Sequence, residues 1–192
     1  MSEKRQVLIE TAFKLFYQKG VHAVGINEIL AETGIAKKTL YNHFASKNEL
    51  ISAVVAYRDK CFCDWLEGEL NKAAPGIARI DALFDALDDW FNDRAEVLLP
   101  FRGCFFINVS GEFSDPADPV HQQCMKHKDN IAALIKKQVG TLGIDVDQVE
   151  TLTDSLCLLK EGAIVLAHVQ GDKRAALKAK KSAEVMVRSV RK

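Results

Sequence analysis

The chain has 192 residues, 26 Lys and Arg against 26 Asp and Glu, and 48% apolar residues. That length suits one large domain or a small head with a larger body, and the neutral total excludes a protein coated in positive charge for indiscriminate binding to polyanions. No run of about 18 apolar residues suggests a membrane span, and five cysteines behind an N-terminus with no export signal fit reduced thiols in a cytoplasmic protein.

Charge is uneven along the chain. Residues 1–60 hold nine Lys and Arg against six Asp and Glu; residues 61–120 hold four against twelve, and residues 121–192 thirteen against eight. A basic head and an acidic middle leave room for a small, local nucleic-acid surface.

In the first segment Ile9, Ala12, Phe13 and Phe16 fall on one helical face, and Gly20 ends it. Ile26, Ile29 and Leu30 repeat the spacing in a second, short helix, with Gly25 or Asn27 at its start and Gly34 at its end. Ile35 is expected to plug the turn. The third segment, residues 37–44, buries Leu40 and Phe44 and leaves Lys37, Lys38, Thr39, Tyr41, Asn42 and His43 largely outside. Ser46 is placed to cap a long following helix. A helix, a tight glycine turn and a second short helix make the helix-turn-helix pattern. Its second helix can enter the major groove, where lysines supply charge and Tyr, Thr, Asn and His supply directed hydrogen bonds. A solvated basic face on a small bundle is the alternative.

The stretches VLIETAFKLFYQKG and ILAETGIAKKTLYNHFASKNELISAV resemble the DNA-reading head of TetR-family transcriptional repressors. The resemblance implies that Lys37, Lys38 and Thr39 face DNA near the start of the recognition helix, with Asn42 beside them. It implies that Tyr41, His43 and Lys47 bond phosphates. The chain departs from the family pattern at Ala36, where serine is frequent, at Gly25, where threonine or serine is, and at Leu30, where alanine is. Residues 1–47 are thus expected to form the helix-turn-helix domain, and residues 48–192 an effector-binding and dimerisation domain.

The body reads as helical throughout, without an alternating strand run, so the fold class is all-α. A long helix over residues 48–73 carries Trp65 and stops near Pro75 and Gly76. In IARIDALFDALDDWFND, Ile80, Leu83, Phe84, Leu87, Trp90 and Phe91 make an apolar face, with Asp81, Asp85, Asp88 and Asp89 opposite. PFRGCFFINVSGEFSDPADP combines aromatics with Asn108, Ser110 and Glu112, the composition of a small-molecule pocket or of a short core helix. Trp65, Phe84, Leu87, Trp90, Phe91, Cys104, Phe105, Asn108 and Glu112 are the expected pocket residues. The Arg-Gly-Cys-x-Phe-Ile-Asn stretch around Cys104, with EGAIVLAHVQGD near the end, resembles one subgroup of TetR-type regulators.

Cys104, two residues from Arg102, is also a candidate electrophile or oxidant sensor on the same scaffold, though a buried, inert thiol is the simpler reading. His121, Cys124 and His127 fall on one broad helical face that zinc could use, but a fourth ligand is missing. Neither a metal nor a cofactor is expected. In VETLTDSLCLLKEGAIVLAHV, Val149, Leu152, Leu156, Leu159, Ala163 and Leu166 form a heptad seam, and a last helix adds Ala176, Ala183, Val187 and Val190. The resemblance implies a four-helix dimer bundle from these two helices of each subunit; packing onto the chain's own core is the alternative.

The expected function is a ligand-responsive repressor. It would act as a homodimer on a palindromic double-stranded DNA operator and release it on binding a small molecule. A ligand-binding module without DNA function is the second reading. No nucleophile elbow, P-loop, HExxH or dinucleotide fingerprint points to an enzyme.

Overall fold

The computed structural model describes residues 2–191. Among them the elements in chain order are α1 (Glu3–Lys19), α2 (Ile26–Thr33), α3 (Lys37–His43), α4 (Lys47–Asn71), α5 (Ile77–Phe91), α6 (Phe105–Glu112), α7 (Pro119–Val139), α8 (Val146–Val169) and α9 (Ala175–Val190), with single 3-10 turns at Glu96–Leu98 and Gly140–Leu142. There is no strand among the described residues, so the fold is all-α.

The chain groups into two compact units. One runs to Lys60 and takes in Cys104–His127; the other is Cys61–Gly103 with the residues from Lys128 onward. α4 has residues in both units, and α6 belongs to the first.

In the N-terminal unit, Leu8, Ile9, Ala12, Phe13 and Phe16 of α1 are buried, together with Ile29, Leu40, Phe44, Leu50 and Val54. The helix ends follow local chemistry. Gly20 has φ +90° and donates to Phe16 O at 2.9 Å, while Gly34, at φ +66°, donates to Leu30 O at 2.9 Å. Both positions are left-handed, where only glycine avoids a Cβ penalty. The start of α4 is capped twice. Ser46 Oγ accepts the Glu49 amide at 3.1 Å, and the Glu49 carboxylate accepts the Ala45 amide at 2.6 Å. That is a capping box whose return bond lands one residue early. Phe105 of α6 completes this core, set edge-on to Phe13 with ring centroids 5.3 Å apart.

In the C-terminal unit, α9 packs on α5 and on α8. Its Ala175, Ala176, Ala179 and Ala183 are buried and let the helices approach closely. Ile80, Leu83, Phe84, Leu87, Trp90 and Phe91 of α5 are buried as their spacing predicts. The acids on the far side of α5 are more than a solvated face. Asp85 pairs with Lys180 at 2.7 Å, Asp88 and Asp89 both bind Arg94, and burial lifts the Asp81 carboxyl above its usual range. Gly103 is obligatory on two counts. Its φ is +81°, and a Cβ there would lie 2.5 Å from the His168 ring.

Candidate nucleic-acid interface and regulatory region

The helix-turn-helix sorts α3 by chemistry. Leu40 is fully buried and Phe44, just past the helix, is too. Lys37, Lys38, Tyr41 and Asn42 are exposed; Thr39 and His43 are half-buried. Ala36 precedes the helix and gives no side-chain cap. Of the acids on the neighbouring helices, Glu28 of α2 bonds Lys19 at 2.5 Å and Glu49 caps α4. What α3 presents outward is therefore cationic and rich in donors, with no carboxylate to repel a phosphate.

Lys47 differs from that set. Its Nζ donates to Val21 O at 2.8 Å and lies 6.0 Å from the Phe16 ring centroid. One of its three N–H donors thus ties the start of α4 to the loop between α1 and α2. Glu112, expected to line an effector pocket, grips the same loop. Its Oε1 accepts the Val21 amide at 2.8 Å, and its Oε2 accepts the His22 amide at 2.6 Å. The end of α6 is thereby clamped to the reading head, a role that the sequence does not announce.

The remaining expected pocket residues separate. Cys104 and Phe105 are buried in the N-terminal unit, where Phe105 packs against Phe13 and Tyr17, and Asn108 faces solvent. Phe84, Leu87, Trp90 and Phe91 are buried in the C-terminal unit, with Trp65 half-buried. There Trp90 meets Phe62 at 5.1 Å and Phe101 at 4.9 Å, both edge-to-face. The Cys104 thiol is only 6% exposed, which removes the access a sensing cysteine needs.

His121, Cys124 and His127 do not converge as ligands. His121 Nδ1 lies 2.7 Å from Phe113 O, while His127 stacks on Phe106 at 3.5 Å and places Nδ1 2.7 Å from Asp59. Three residues turn a helix by about 300°, so the first and last of such a set point about 120° apart.

The residues of the expected heptad seam divide by burial. Leu152, Leu156, Ala163, Ala183 and Val187 are buried within the chain's own core. Leu159 and Leu166 are half-buried. Beyond Val146 at its start, α8 leaves Leu158 (74% exposed), Val165 (48%) and Val169 (76%) outside, and Val185 joins them on α9. With Gly162, they keep a heptad rhythm on the opposite side of α8. Beside them an open groove of about 420 Å³ is lined by Leu158, Leu159, Gly162, Leu166, Ala179 and Met186, among others.

The model of bacterial regulatory proteins of the tetR family matches residues 8–54, and that of the tetracyclin repressor-like C-terminal domain matches residues 76–183. The chain belongs to the TetR family. It is similar to the uncharacterized HTH-type transcriptional regulator YxaF of Bacillus subtilis, with 24% identity over 97% of this chain and 96% of that one. The HTH-type transcriptional activator FasR of Mycolicibacterium smegmatis is 43% identical over 94 residues, 49% of this chain and 43% of its own. Among solved structures, SCO4454, a TetR-family regulator from Streptomyces coelicolor, superposes with a TM-score of 0.85 at 27% identity, covering 98% and 96% of the two chains. This TetR-family chain is therefore a helix-turn-helix transcriptional regulator with a helical C-terminal domain. Among the described residues no helix is long and apolar enough to cross a membrane.

Proposed function

We propose that this regulator is a cytoplasmic homodimer that represses transcription from a palindromic operator and lets go of DNA when a small molecule binds its C-terminal region. The observation that carries the reading is the acid-free outer face of α3, where Lys37, Lys38, Tyr41 and Asn42 are exposed while Leu40 is fully buried. Two-fold pairing answers two needs at once. One helix of two turns reads few bases, whereas a dimer reads two half-sites about 34 Å apart. The exposed Leu158, Val165, Val169 and Val185 also need cover, and an isologous α8–α9 bundle provides it. Repression is the mode that resemblance to TetR repressors implies; FasR, named an activator, matches about half of this chain.

Release follows from the clamp. Glu112 and Lys47 hold the Val21–His22 loop from α6 and α4. A ligand that favours a different placement of either helix moves the reading helix with it. The ligand acts only as far as it prefers one state to the other.

The test is selection of operator from genomic fragments by the purified protein, followed by titration of Leu158→Asp and Lys37→Ala variants. A palindrome should emerge. Leu158→Asp should give a folded monomer with at least about 100-fold weaker operator binding, and Lys37→Ala should weaken binding while leaving the dimer intact. A monomeric wild type, or an enriched site without two-fold symmetry, sinks the reading.

A further inference from the structure

The buried Leu40 sets the direction of the other side chains on α3. It is fully buried, and each residue turns the helix by about 100°. Lys38 and Asn42, two before it and two after, therefore point about 160° away from it, one on either side. Thr39 and Tyr41 point about 100° away, to the two flanks, and Lys37 and His43 about 60° away, back toward the chain's own surface. Exposure agrees: Lys38 and Asn42 are exposed, Thr39 and His43 half-buried, and Lys37 reaches solvent from the first turn. His43 Nε2 lies 3.5 Å from Ser2 Oγ at the start of α1. The face of α3 turned furthest from its own core is thus one lysine and one asparagine.

The major groove is about 12 Å wide, and a helix with its side chains is about 10–12 Å across. A helix seated there meets the floor with the face opposite its own core and the two walls with its flanks. The chemistry of the floor face is narrow. A lysine ammonium only donates, and guanine is the base whose edge offers two acceptors side by side, O6 and N7. An asparagine amide offers one donor and one acceptor, the pattern that adenine N7 and N6 complete. α3 holds no acid that could accept from cytosine N4. Four residues span about 6 Å of helix, and stacked bases lie about 3.4 Å apart, so the two side chains reach bases about two steps apart at most.

We infer that Lys38 and Asn42 are the specificity-determining pair of this regulator: each operator half-site offers a guanine to Lys38 and an adenine to Asn42, on base pairs no more than about two steps apart. Thr39 and Tyr41, on the flanks, bond the sugar-phosphate walls; such contacts position the helix and carry no sequence information. The inference rests on the operator-binding reading and names the bases that the operator must hold.

The experiment is selection of duplexes from a random-sequence library by the full-length protein, read by sequencing, for wild type, Lys38→Ala, Lys38→Gln, Asn42→Ala and Tyr41→Phe. Wild type should enrich a two-fold site whose half-sites hold a guanine and an adenine within about two steps. Lys38→Ala should cut the preference for that guanine about fivefold or more and leave the rest of the half-site unchanged, and Asn42→Ala should do the same for the adenine. Alanine at these exposed helix positions keeps the fold. Lys38→Gln should replace the guanine with adenine, and it carries the comparison should Lys38→Ala bind too weakly to enrich a site. Tyr41→Phe should weaken all sequences alike. A half-site without these two bases, base preferences that survive Lys38→Ala or Asn42→Ala, or a Lys38→Ala that weakens every sequence equally with a salt slope lower by about 1 overturns the inference. In each of those cases the enriched two-fold site keeps the operator reading. A library from which no site emerges overturns both.

Discussion

The loop between α1 and α2 and the Lys160–Glu161 cluster of the C-terminal unit hold their polar groups in different ways. In the head, the loop between α1 and α2 has its groups met from two sides: Glu112 takes the Val21 and His22 amides, and Lys47 takes the Val21 carbonyl. In the core, Lys160 shares its one carboxylate with Lys128, and Trp90 Nε1 goes without. A fully satisfied polar network is rigid, and an incompletely satisfied one costs stability.

The contrast can be broken at four points. Phe44→Ala, in the head's apolar core, should cost the most, about 3–5 kcal/mol in denaturant unfolding, because it removes a fully buried ring. A loss below about 1 kcal/mol would mean that the head is not the tightly packed part. Glu112→Ala should come next, at about 1–3 kcal/mol, since it strips acceptors from two backbone amides. Exchange of the Val21 and His22 amide hydrogens should quicken, while the α9 amides stay protected. If those two amides exchange at the wild-type rate, the clamp does not exist in solution.

Glu161→Gln should change the acid limb of stability. The folded carboxyl lies below its ordinary value. Its contribution is therefore complete above the unfolded pKa, about 4.3, and fades as pH falls through the folded value. Wild type should lose stability more steeply than Glu161→Gln below about pH 4.5; parallel curves would remove the ion-pair account. The smallest effect belongs to Trp90→Phe without ligand. Deleting an unpaired buried N–H while keeping an aromatic ring should leave stability within about 1 kcal/mol of wild type, or raise it. A loss of about 2 kcal/mol would mean that Nε1 already has a partner.

The head was legible because each signal there has one meaning. Gly20 and Gly34 end helices in left-handed geometry, Leu40 and Phe44 point inward at a spacing of four, and no residue of α3 is acidic. The body was less so, for two reasons. α8 has apolar residues on opposite faces, and periodicity counts them without saying which face meets the chain's own core. Leu152 and Leu156 turned in, while Leu158 and Val169 stayed out. The aromatics Phe101, Phe105 and Phe106 stand close together in sequence. Gly103, at φ +81°, lies between them, and Phe101 packs edge-on to Trp90 and tilted against Phe91 while Phe105 meets Phe13 and Tyr17. Lys160 lies in the seam between Leu156 and Ala163, and its burial is not announced by the sequence because a lysine on a helix is usually a surface residue.

The sparse positive charge of α3 has a consequence for how this regulator travels. Lys37 and Lys38 are its exposed cations, and the chain as a whole is neutral. On the function proposed above, few counterions would leave the duplex on landing, so non-operator DNA would hold the protein weakly and residence on a site would depend on how well the bases fit.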